Sequence, residues 1–172
     1  MKNIVNNKTG CEQKVVNEII TDIGVCMLTT INLLGGLHSR PMFVQEIDED
    51  GSLWFFTSSD STLMEEINKI PIVNITFSAF GKNKFLSATA LAYEVFDQNK
   101  MKNLWTPALE VWFKDGVETP DITLLKADLQ DVEYWDAPSA SFVKVSGLVK
   151  PLSGTVVPKR DHFSKIKPQS FI

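Results

Sequence analysis

His38-Ser39-Arg40-Pro41-Met42-Phe43-Val44-Gln45 is an extended stretch with a proline inside it. Proline cannot donate to a strand ladder, so the strand must be irregular or unpaired on one side at Pro41, and backbone groups beside it are left free for a ligand. Arg40 carries a planar fork of donors suited to a phosphate, where a lysine would offer a point charge. Taken alone, Arg40 reads more readily as a surface residue paired with a carboxylate.

On either side of this stretch the chain keeps the period of a sheet. Gly24 to Ile31 is rich in β-formers, Asn32 to Gly36 reads as a hairpin loop with paired glycines, and Leu37 to Ile47 resumes the extended pattern. Asp48-Glu49-Asp50-Gly51 is a tight turn leading into a strand over Ser52 to Thr57. Cap-type residues Ser58 to Ser61 then precede Leu63, Met64, Ile67 and Ile70, which predicts a helix from about Asp60 that stops before Pro71. Ile72 to Ala79, the turn Phe80 to Asn83, and Lys84 to Phe96 predict a long hairpin whose second arm bears Ser87, Ala88 and Ala90, small residues that suit a tightly curved barrel.

Upstream, Val15, Val16, Ile19 and Ile20 fall at helical spacing and predict a short helix after Glu12 that ends near Asp22. Downstream, Asp97 caps a helix through Leu104, and Trp105-Thr106-Pro107 breaks it before a turn carrying Leu109, Trp112 and Phe113. Ile122 to Ala127 and Val132 to Trp135 predict a last hairpin, and Pro138 with Ser139 a final helix to about Leu152. The expected fold is mainly β with flanking helices, about six antiparallel strands forming a partly open barrel, because closure removes exposed edges. A single domain is expected over 1–172, with its core in 12–152 and a C-terminal tail over 153–172.

Composition narrows the function classes. A formal charge of -4, from 17 basic and 21 acidic residues, gives no electrostatic footprint for nucleic acid. No apolar run approaches the ~20 residues that cross a bilayer, and the start is polar and Asn-rich, so a protein that is not exported, does not cross the membrane and resides in the cytoplasm is expected. Cys11 and Cys26 lack a CxxC spacing and read as structural thiols. The four Trp and eleven Phe exceed what a small core needs, and several sit in polar surroundings, which points to a ligand or a second subunit.

Trp54-Phe55-Phe56-Thr57-Ser58-Ser59-Asp60-Ser61 is a strand of large rings running into hydroxyl residues and a helix start. Free N–H groups, hydroxyls and the positive helix end converge there, so the segment suits a ligand with a flat ring at one end and a phosphate at the other. The plainer account has one of Phe55 and Phe56 facing the core and Ser61 acting only as a cap. In Trp105 to Gly116, two tryptophans seven residues apart share a helical face if the helix survives Pro107; they either roof the core or meet a ligand or partner. No GxGxxG, GxxxxGK[ST] or GxSxG occurs, and neither His38 nor His162 has neighbours at metal-ligand spacing. Any catalysis would have to come from a cofactor.

Six ordered segments, Met27-Leu28-Thr29-Thr30, His38-Ser39-Arg40-Pro41-Met42, Asp48 to Thr57, Leu104 to Leu109, Trp112 to Gly116 and Tyr134 to Pro138, resemble the successive motifs of the general stress protein branch of the pyridoxamine 5′-phosphate oxidase-like superfamily. The resemblance implies a six-stranded antiparallel split β-barrel that binds FMN at the interface of a homodimer. By position, Arg40 resembles the arginine that holds the FMN phosphate, and Pro41, Met42 and Phe43 the strand lying along the flavin. Gln45 stands where the oxidase has a lysine. Phe56, Thr57 and Ser58 match the segment near the phosphate and ribityl chain, and Ser61 begins the facing helix. The family pattern has a lysine at the position of Leu63. Basic residues for a substrate phosphate are not evident in the C-terminal part, where Lys159 and Arg160 are the nearest. The implied function is that of an FMN-binding flavoprotein and flavin-dependent oxidoreductase, the alternative being a non-catalytic stress protein that binds flavin or another flat small-molecule ligand.

Overall fold

The structure, a computed structural model, describes residues 3–136 and 141–146, with side chains over 13–135. Its sheet is built from β1 (Val25–Ile31), β2 (Leu37–Phe43), β3 (Glu46–Ile47), β4 (Leu53–Ser58), β5 (Ile72–Ala79), β6 (Lys84–Val95), β7 (Ile122–Asp136) and β8 (Ser141–Ser146). Three helices flank it, α1 (Asn3–Ile23), α2 (Thr62–Lys69) and α3 (Gln98–Leu104). Among the described residues no helix is long and apolar enough to cross a membrane.

All pairings are antiparallel, in the order β2-β1-β5-β6-β7-β4-β3, with β8 added to β7. The two ends of that order, β2 and β3, are separated in the chain only by Val44 and Gln45. A sheet whose terminal strands are joined by two residues has to curl until its ends meet, which is the split barrel expected from the sequence, with eight strands where six were expected. Val44 N–H donates to Gly24 O at 2.9 Å and Gln45 N–H to Trp54 O at 2.8 Å, pinning the junction to both flanks. Away from it, β2 and β4 approach without pairing, and this gap is the seam of the barrel.

Alternation decides the main core. Cys26 and Leu28 of β1, Val73, Ile75 and Phe77 of β5, and Leu86, Ala88, Ala90 and Ala92 of β6 all point inward, where Val16, Ile19 and Ile20 of α1 and Leu63, Met64 and Ile67 of α2 cover them. The alanines of β6 let the sheet bend sharply without side-chain collision. β4 is buried on both faces: Leu53 and Phe55 enter this core, while Trp54 and Phe56 enter a second one with Ile122, Leu124, Met101, Leu104 and Leu109. α1 ends at Gly24, whose φ of 71° is the left-handed conformation that closes a helix, with its N–H on Ile20 O at 2.8 Å.

Three expectations change. α1 begins at Asn3, upstream of Glu12, because the apolar period that signals it starts only at Val15 and Val16. The expected last hairpin is one 15-residue strand, β7. A bulge opposite Thr89 and Ala90 leaves Gln130 as the extra residue, so the alternation breaks and imitates a turn. The helix expected from Pro138 to Leu152 is a strand over Ser141–Ser146; the rest of that segment, Pro138, Ser139 and the tail with Lys159, Arg160 and His162 lie outside the described residues. β4 pairs with residues 122–127 of β7 and β8 with residues 131–136, so β8 covers an edge that β4 leaves open.

Candidate functional site

A cavity of about 330 Å³ lies on the seam. Pro41, Met42, Phe43 and Gln45 line it from the β2 side, Phe56, Thr57 and Ser58 from β4, and Ser61 from the start of α2. Leu109, Trp112 and Phe113, from the short 3-10 turn Pro107–Val111 and just beyond, complete the wall. β2 is an edge strand, the place in a sheet where a proline is tolerated, and its far side faces this opening.

The hydroxyl end is built by the cap of α2. Ser61 Oγ accepts from Met64 N–H at 3.3 Å and lies 3.5 Å from Thr57 Oγ1, while Ser58 Oγ donates to Asp60. Aromatic rings make up much of the remaining lining. Trp112, 57% exposed, lies over Phe43 with ring centroids 5.2 Å apart, and Phe113 packs on Phe56 at 6.3 Å. Trp105 meets Phe56 edge-on at 5.6 Å within the second core. The two tryptophans therefore do not act as one face: Pro107 ends the helix between them, one side chain roofs the core and the other walls the cavity. Sequence inspection singled out this segment without placing Leu109, Trp112 or Phe113 at the site, because its position depends on how the chain returns across β4.

Of the residues expected at the site, only Arg40 does not line the cavity. Arg40 shares the inward face of β2 with Met42 and reaches Glu66 of α2, Nη2 donating to Oε2 at 2.9 Å. Glu66 also accepts from Thr30 Oγ1 at 2.5 Å and meets His38 Nδ1 at 2.6 Å. It is a carboxylate almost wholly removed from solvent, 3% exposed. Burial pushes its pKa up, but the hydrogen bonds from Thr30, Arg40 and His38 and the Arg40 charge outweigh this and hold the carboxyl below its ordinary value. Arg40 Nη1 is buried with no hydrogen-bond partner. The carboxylate pairing read from the sequence is thus present, with Glu66 as the partner.

Leu63 is 4% exposed and belongs to the main core, away from the cavity lining. Among the described residues no group of His, Cys, Asp and Glu is arranged to hold a metal.

The family model described as "Pyridoxamine 5'-phosphate oxidase like" matches residues 12–155. The chain belongs to that family. The pyridoxamine 5′-phosphate oxidase-like fold is shared with many solved structures. A general stress protein 26-related protein of Clostridium acetobutylicum superposes with a TM-score of 0.68 at 19% identity, over 78% of this chain and 93% of that one. The general stress FMN/FAD binding protein of Xanthomonas citri gives a TM-score of 0.63 at 28% identity, over 83% of this chain and 97% of that one. The general stress protein 26 of Bacillus anthracis gives 0.66 at 20% identity, over 77% and 98%. The resemblance to general stress proteins carried by the sequence motifs thus has its counterpart in the fold. No curated protein sequence matches the chain.

Proposed function

We propose that this protein binds FMN in the seam cavity and acts as a flavin-dependent oxidoreductase. The observation that carries the reading is the cavity itself, whose lining combines aromatic side chains (Phe43, Trp112, Phe113) with a hydroxyl-rich helix start (Thr57, Ser58, Ser61) beside the free edge of β2. Its volume of about 330 Å³ is at the lower end for a site that holds a cofactor-sized ligand. Support also comes from the Xanthomonas citri relative, whose name records FMN/FAD binding.

The residues fit the group. The hydroxyls of the lining carry the fit to a phosphate; Arg40, whose buried Nη1 has no partner, precedes Pro41 of the cavity wall but does not itself line the cavity. Thr57, Ser58 and Ser61 would bond the phosphate and ribityl oxygens, and Pro41, Met42, Phe43, Gln45 and Phe56 would lie along the rings. When bound, the flavin supplies hydride or electron transfer, and the protein's task is to hold and shield it.

A homodimer completes the site in this reading. On the outer face of the sheet Val25 stands beside Phe43, Met27 beside Pro41, Ile31 beside Leu37, and Ile72 beside Leu91. Val25, Met27, Leu37, Phe43, Ile72 and Leu91 are all exposed, and this apolar face borders the cavity through Phe43. A second copy seated there would close the open side.

The alternative reading, a non-catalytic protein that binds flavin or another flat ligand, is favoured by Leu63, a core residue that leaves α2 without the lysine of the family pattern. Purified protein tests the proposal. A bound flavin absorbance band is expected, and FMN at one hundred times its Kd should raise stability by ~2.7 kcal/mol. A colourless protein that gains neither absorbance nor thermal stability from excess FMN refutes it, and bound flavin that no nicotinamide donor reduces favours the alternative.

A further inference from the structure

We infer that a second cavity, beside the start of β7 and lined also from β6 and α3, binds a small organic ammonium ion, an amine cation carried on an apolar body. This cavity shares no lining residue with the seam cavity, so the inference stands apart from the FMN reading.

Two unpaired hydroxyls mark the site. Among the described residues three buried side-chain polar atoms lack a hydrogen-bond partner, and two of them, Thr119 Oγ1 and Thr123 Oγ1, belong to residues that line this one cavity. Thr123 is 1% exposed, so its hydroxyl has no route to bulk water. A buried hydroxyl without a partner is costly, and such groups are kept where a ligand or an ordered water satisfies them. The cavity volume of about 350 Å³ has room for a small ligand.

The charge of the lining selects the class of ligand. Glu94, Glu118 and Asp121 stand exposed on it, and none of the three forms an ion pair among the described residues. No Lys, Arg or His lines the cavity. An anion would be repelled there, and the carboxylates are not grouped in a way that holds a metal ion. Phe96, Met101 and Val117 add apolar surface to the same lining. An ammonium group has three donors, which hydroxyl and carboxylate oxygens accept, and its hydrocarbon body would rest on the apolar side chains.

Calorimetric titration of the full chain with cyclohexylmethylamine, cyclohexylmethanol and cyclohexanecarboxylate, which share one skeleton and differ in charge, tests the inference. The amine should bind most tightly, the alcohol about tenfold more weakly and the carboxylate not at all, and added salt should weaken the amine. Thr123→Val keeps the side chain's shape and removes the unpaired hydroxyl. It should leave folded stability undiminished and lower amine affinity about tenfold. Glu118→Gln, at an exposed position, should lower it about two- to fivefold. Equal binding of the three probes would make the cavity an apolar cleft without charge recognition, and no binding would mean that it holds water alone. Amine binding that survives both substitutions would place the site elsewhere; each of these results overturns the inference. Should Thr123→Val not fold, Thr119→Val at a half-buried position takes its place beside Glu118→Gln, and undiminished amine binding in both is equally fatal.

Discussion

Leu63→Lys restores the residue that the family pattern has at this position, and the structure predicts that it harms the protein. Leu63 is 4% exposed among Met64, Ile67 and the inward residues of the barrel, so the substitution removes a buried leucine from the main core. Full burial of such a side chain is worth ~1.5–3 kcal/mol. The methylene stem of lysine recovers part of this, but its ammonium must reach water or an anion, and Glu66 on the same helix already holds Thr30, His38 and Arg40. A net loss of ~2–4 kcal/mol follows. At ~2–4 °C per kcal/mol for a chain of this size, Tm should fall by roughly 4–16 °C. Thermal unfolding by circular dichroism, with and without excess FMN, measures it; FMN should not restore the wild-type Tm. An unchanged Tm together with a tenfold gain in FMN affinity would refute the reasoning, since position 63 would then face the cavity and not the core.

Trp112→Ala removes an exposed ring that walls the cavity and covers Phe43. It should cost little stability but weaken FMN and riboflavin alike, by about tenfold if the ring contributes ~1.4 kcal/mol, as flavin fluorescence titration would show. Ala90→Val forces two methyl groups into a fully buried position on the curved arm of β6 and should destabilise by ~1–3 kcal/mol in urea unfolding, with no separate effect on ligand preference. Burial pushes the Cys26 thiol up to about 12, so in a Cys11→Ser background Cys26 should resist alkylation while folded and react freely once denaturant is added. Glu66 titrates below its ordinary value of 4.5, so its ionised form stabilises the fold above that value and the contribution is lost as pH falls through the lower folded one. The stability gap between wild type and Glu66→Gln should therefore narrow on acidification, and a gap that widens would contradict the arrangement.

Much of the site was legible in the chain because it is assembled from short local signals. Pro41 marks an edge strand, Ser61 caps the helix after a run of rings, and both statements concern contacts within a few residues. The roof was only half legible: Trp112 and Phe113 stood out by type, yet which one meets the cavity depends on where Pro107 turns the chain. Glu66 gave no signal, since an acidic residue in a short amphipathic helix looks solvent-facing until three partners from two strands close around it.

Residue order alone decided β1, β2, β4, β5 and β6, the turns at Asn32 to Gly36 and Asp48 to Gly51, and the approximate limits of α2, because propensity and alternation act over neighbours in the chain. Tertiary structure decided what depends on partners far apart in it. The continuity of β7 through the bulge at Gln130 requires β6 opposite, and strand rather than helix over Ser141–Ser146 requires the edge that β4 leaves uncovered. The pairing of Arg40 likewise depends on a carboxylate 26 residues away, which only the closing of the barrel brings to 2.9 Å.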